Sequence, residues 1–176
     1  IDLTTPGSKT QAFLLGYHRL KREAEKYNIR VYAGAELRFD GSNNDYLLYG
    51  FHDELLADPD RVMREGLAAF APKYRADGAL LVQAHPFRNK CTPAPAEYLD
   101  GVEVLNLNPR HDSRNDMAQA YAEEHNLIMT AGSDCHRPGD QGTTGILSDT
   151  LPEDSFGLAD LLRSGNYTII RPENED

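Results

Sequence analysis

Ala79-Leu80-Leu81-Val82-Gln83-Ala84-His85-Pro86 is a short apolar run that stops at an imidazole and a proline. Its length and branched apolar content suit a buried strand rather than a helix. Upstream, Asp60 to Tyr74 carries Val62, Gly66, Ala69, Phe70 and Tyr74 on one side, which predicts a helix with Asp58 as its cap before Pro59. Downstream, a loop broken by Pro86, Pro93 and Pro95 leads to a second strand, Gly101 to Leu105. Helix, strand, loop and strand in this order read as part of a βαβ pattern.

The alternation continues outward in both directions. Phe13, Tyr17, Leu20, Ala24 and Tyr27 recur at helical spacing between charged residues, and Arg30 to Glu36 follows as a strand. Leu37 to Phe39 and Tyr46 to Phe51 flank Asp40-Gly41-Ser42-Asn43-Asn44-Asp45, a hairpin or tight loop. Ser113 to His125 reads as a helix, Leu127 to Ala131 as a strand, and Gly132 to Gly145 as a long loop. Ser155 to Ser164 is a last helix stopped by Gly165, and Tyr167 to Ile170 a last strand. No repeat or linker interrupts residues 1–176, so a single domain is expected. Strands separated by helices imply parallel pairing, and an open doubly wound sheet and a closed barrel satisfy the pattern equally.

Composition removes several function classes. The formal charge of −10 argues against an extended nucleic-acid surface, which needs clustered Lys and Arg. No apolar stretch is long enough to cross a bilayer, and the first residues do not resemble a secretory signal, so a cytoplasmic protein without a membrane partner is expected. Cys91 and Cys135 are too few for a disulfide scaffold and read as reduced thiols.

Residues able to bind metal recur where apolar strands end. Glu36 ends the run from Val31, His52 follows Tyr46 to Phe51, His85 follows Ala79 to Ala84, and Asp134 and His136 follow Leu127 to Ser133. In a parallel α/β fold the C-terminal strand ends share one face, where sites gather. Imidazole and carboxylate together favour Zn²⁺, Mn²⁺ or Fe²⁺ over Ca²⁺. A carboxylate bridging two such ions would lower the pKa of a shared water and support phosphate ester hydrolysis. Glu103 and Asn106 are candidates for supporting the ligands or touching substrate. Arg88 is the cation best placed to bind a phosphate. His18, His111 and His125 read as surface residues.

At these positions the sequence resembles the PHP (polymerase and histidinol phosphatase) family. The resemblance is carried by Ala33-Gly34-Ala35-Glu36, Tyr49-Gly50-Phe51-His52, Ala84-His85-Pro86, Gly101-Val102-Glu103-Val104-Leu105-Asn106 and Gly132-Ser133-Asp134-Cys135-His136. It implies an α/β fold, a distorted seven-stranded (β/α) barrel, with up to three divalent transition ions (Zn, Mn or Fe). Glu36 would be the bridging carboxylate, His52 and His85 ligands of one ion it bridges, Asp134 a ligand of the other, and His136 of the third. Asp134 and His136 would be catalytic and Arg88 substrate-binding.

The implied activity is hydrolysis, by a metal-bound hydroxide, of a phosphorylated metabolite, a histidinol-phosphate-like ester, or a nucleotide or short oligonucleotide. A non-catalytic metal-binding or interaction domain and a barrel amidohydrolase are the alternatives. The family opens with a His-x-His strand, which this sequence lacks. Ile1-Asp2-Leu3 reads like the strand leading into it, but Thr4-Thr5-Pro6 follows. The barrel is therefore expected to be incomplete at its N-terminus, with two of the three metal positions short of ligands.

Overall fold

A computed structural model describes residues 8–171. The expectation for Ile1 to Pro6 lies outside the described residues. Helices α1 (Lys9–Phe13) and α2 (Leu15–Ala24) lead to β1 (Gly34–Leu37) and β2 (Tyr46–Tyr49). Next come α3 (Pro59–Glu65), α4 (Leu67–Asp77), β3 (Leu80–Gln83) and β4 (Gly101–Asn106). The chain ends with α5 (Asn115–His125), β5 (Ile128–Gly132), β6 (Gly145–Leu147), α6 (Ser155–Ser164) and β7 (Thr168–Ile170). The expected helix from Asp60 to Tyr74 is two helices. Gly66, at φ +82°, ends α3, and its carbonyl accepts the Phe70 N–H that starts α4.

β1 to β5 form one sheet in sequence order, and β6 pairs with β7 in a second, two-stranded sheet beside β5. The fold is mixed α/β, with the hairpin expected across Asp40 to Asp45, but the parallel pairing expected for strands separated by a helix fails at β2–β3. β1–β2 and β2–β3 are antiparallel, whereas β3–β4 and β4–β5 are parallel. The physical reason is the connection. The segment between Leu37 and Tyr46 is too short for a parallel crossover, which takes about a dozen residues or more. A hairpin is what remains, and Leu37 faces Tyr46 across it.

Side-chain alternation gives the sheet two faces. Leu37, Tyr46, Leu48, Leu81, Val102 and Val104 pack with Phe70 and Tyr74 of α4 in the main core. Leu80 and Val82 face the other way and pack with Ala159 and Leu162 of α6. Gly50 makes the second contact possible: at φ +59°, its Cβ would lie 2.8 Å from that of Ala159. Among the described residues no helix is long and apolar enough to cross a membrane.

Candidate metal centre

One edge of the sheet collects the C-terminal ends of β1, β3, β4 and β5 and, because β2 is reversed, the N-terminal end of β2. Glu36 reaches this edge from β1, and Asp45 immediately precedes β2. The Ala84 N–H donates to the Asp45 carbonyl at 3.0 Å, extending the β2–β3 ladder and setting His85 beside Asp45. Ligand atoms of Glu36, Asp45 and His85 all lie within 4.8 Å of one another. Two carboxylates and an imidazole at that spacing fit a divalent transition ion.

The His85 ring is 2% exposed, with Nε2 3.7 Å from Asp45 Oδ2 and Nδ1 3.9 Å from Cys91 Sγ. Burial and the nearby Arg88 guanidinium lower its pKa, keeping the imidazole neutral as a ligand must be. Burial, together with Asp45 and Asp134, raises the pKa of Glu36. Such crowding of acids is relieved by a cation.

The loop after β5 brings up Asp134 and His136, which line the same cavity of about 250 Å³ with Glu36, His85 and Glu103. Asp134 has φ +47° and His85 φ +30°, so two proposed ligands occupy backbone conformations that side-chain-bearing residues rarely adopt. Asn108 Nδ2 donates to the Asp134 carbonyl at 3.0 Å and to Oδ2 at 3.3 Å. His136 Nδ1 lies 2.9 Å from the Asp134 carbonyl, which places the proton on Nδ1 and leaves Nε2 with its lone pair. Asp140 holds the loop: its carboxylate accepts from the backbone N–H of His136 and Arg137 and from both terminal nitrogens of Arg110. Those bonds, Arg110 first, hold its carboxyl well below the usual range.

Glu103, on β4, is 4% exposed, and burial pushes its carboxyl up to about 7. Two guanidiniums face the acids. Arg38 engages both Asp45 oxygens at 2.6 and 2.7 Å. Arg88 donates to Asp134 Oδ2 at 3.0 Å and to Asp45 Oδ2 at 3.4 Å.

The structure thus brings together Glu36, His85, Asp134, His136 and Arg88 but not His52. β2 carries His52 to the opposite edge, where its ring is 60% exposed. There Nδ1 lies 3.2 Å from Asp77 Oδ1 at the end of α4, and the ring packs on Phe156 of α6. The expected ligand is a surface staple, and Asp45 stands at the edge it was assigned to. Asp45, Arg38, Asn108 and Asp140 are site residues that the sequence reading missed. His111 and His125 are exposed and His18 is half-buried against Tyr17, all away from the cavity.

Residues 112–164, which run from α5 through the Asp134–His136 loop to α6, match the family model described as PHP-associated. That match covers less than a third of the chain and shows a likeness over this segment. None of the curated proteins matches it in sequence. Among solved structures, PsfC from Pseudomonas syringae PB-5123 is similar in fold, with 18% identity, a TM-score of 0.58 and coverage of 80% of this chain. This chain spans 59% of the PsfC chain. A candidate metal-dependent phosphoesterase from Bifidobacterium adolescentis aligns at 15% identity and a TM-score of 0.47, over 84% of this chain and 81% of its own.

Proposed function

We propose that this chain is the metal-binding part of a phosphoesterase that hydrolyses an ester of a phosphorylated small molecule or nucleotide. The observation that carries the reading is the convergence of Glu36, Asp45 and His85, from three strands, beside Asp134 and His136. Glu36, Asp45 and His85 would hold one divalent ion of the zinc, manganese or iron kind, and Asp134 with His136 would contribute to further ions. When bound, such an ion supplies Lewis acidity at a phosphoryl oxygen and a lowered pKa for water. Arg88 and Arg38 would orient the phosphate, since a guanidinium fork engages two oxygens at once. Two arginines at the mouth favour a phosphate ester over the uncharged C–N bond of an amidohydrolase substrate. The five-stranded sheet with β6 and β7 beside β5 is taken as the greater part of a distorted seven-stranded barrel.

The test is hydrolysis of an aryl phosphate by chelator-stripped protein resupplied with Zn²⁺ or Mn²⁺. Activity is expected only with metal, and to fall by about 100-fold or more in Asp134→Ala and Asp45→Asn. His52→Ala should retain activity within about twofold, because His52 lies at the other edge. Loss in His52→Ala with retention in Asp45→Asn would sink the ligand assignment. Metal binding without phosphate release would support a non-catalytic domain.

A further inference from the structure

Glu103 is the most deeply buried acid in the cavity, and its two oxygens have different surroundings. Oε2 accepts the His85 backbone N–H at 3.1 Å and Asn106 Nδ2 at 2.9 Å. Oε1 lies over Gly132, where a Cβ would approach it to 2.6 Å. The β4–β5 register is irregular at this point: Glu103 faces Thr130 and Leu105 faces Ala131, so Val104 is an extra residue. A bulge beside a site re-aims the neighbouring side chains. The His85 N–H that Glu103 accepts belongs to a residue at φ +30°, and Gly132 is two residues before Asp134 at φ +47°. A strained backbone persists only where its surroundings over-determine it.

We propose that Glu103 is a positioning residue, a buried strut whose Oε2 fixes the His85 loop and whose Oε1 seats on Gly132, setting the separation of His85 from Asp134. The inference rests on the metal-dependent reading above but has a consequence that does not need it. The strut works as a hydrogen-bond acceptor of fixed length, not as a charge or a ligand. Gln at 103 keeps an acceptor oxygen and the length, so it preserves the site. Ala at 103 releases the His85 amide. Ala at 132 does the same from the other side, because Glu103 cannot yield to the added methyl without breaking its bonds to His85 and Asn106.

The test uses the full chain and two readouts: amide exchange at His85, followed by NMR, and Zn²⁺ or Mn²⁺ affinity, followed by calorimetric titration. Thermal melts confirm that each variant folds. Glu103→Ala and Gly132→Ala are each expected to speed His85 exchange and to weaken metal binding by about tenfold, the scale of losing a group that orients a ligand. Glu103→Gln should match the parent in both. The double variant should be no worse than Glu103→Ala alone, since both lesions break one contact. Unchanged exchange and affinity in both Ala variants would overturn the strut. Equal losses in Glu103→Gln and Glu103→Ala would also overturn it, by making Glu103 act through its charge. If the parent binds no metal while Glu103→Ala still speeds His85 exchange, the metal reading fails and the strut stands.

Discussion

Glu103 carries its carboxyl in surroundings that favour the protonated form, with a pKa pushed up to about 7 by burial. An acid whose folded pKa is raised binds its proton more tightly in the folded chain than in the unfolded one. Its favourable contribution is complete below the ordinary glutamate value and is lost as pH rises through about 7. With a chelator present, stability is therefore expected to fall between about pH 4.5 and 7 by about 3 kcal/mol. Glu36, also raised, adds a loss of the same sign. Asp140, held low, acts in the opposite direction and only in acid. Urea unfolding at successive pH values checks this, and Glu103→Gln should remove most of the slope; an unchanged slope in that variant would place the effect elsewhere. At this scale the sequence singled out Glu36, His85, Asp134 and His136, which the fold gathers around one cavity, because each stands at the end of an apolar strand running toward it. Asp45 stayed hidden because it precedes its strand and lies in a polar loop. Only the direction of β2 distinguishes it from His52.

Elements are where local signals were strongest and pairing weakest. The helix from Ser155 to Ser164 and the strands around Leu81, Val102 and Thr130 are legible from apolar spacing alone. β6 was not, because three residues at the end of a Gly-rich loop carry too little pattern and take their form from pairing with β7. Direction along the sheet depends on connection length: the short turn-rich segment from Asp40 to Asp45 marks a hairpin, and that hairpin reverses β2 and sends His52 to the far edge. Gly50, where β2 ends, shows how one position joins two elements. Its φ of +59° and the nearness of Ala159 Cβ and the Ser155 carbonyl leave no room for a side chain. Gly50→Ala combines left-handed strain with overpacking against α6 and should destabilise by about 2–4 kcal/mol. Denaturant midpoints report it, with the slope unchanged. A shift no larger than that of Gly41→Ala, whose Cβ would meet nothing within 4 Å, would mean that α6 moves to make room.

The whole molecule carries a formal charge of −10, yet its acids are unevenly placed: Glu36, Asp45, Glu103 and Asp134 share one sheet edge. Holding like charges together opposes folding, and Arg38 and Arg88 offset only part of that cost. A cation that binds this edge in the folded state, and finds no such cluster in the unfolded chain, stabilises the fold by mass action. At 100 times its dissociation constant the gain is about 2.7 kcal/mol. For a chain of this size that should raise the melting temperature by about 5–10 °C. Excess chelator should reverse the rise. Glu36→Gln should reduce it, and His52→Ala should leave it intact, because the Asp77 staple lies at the opposite edge. Calorimetric melts with Mn²⁺, Zn²⁺ and chelator compare the variants directly. The same rise in Glu36→Gln as in the parent would move the stabilising ion away from this edge and remove the thermodynamic basis of the proposed centre.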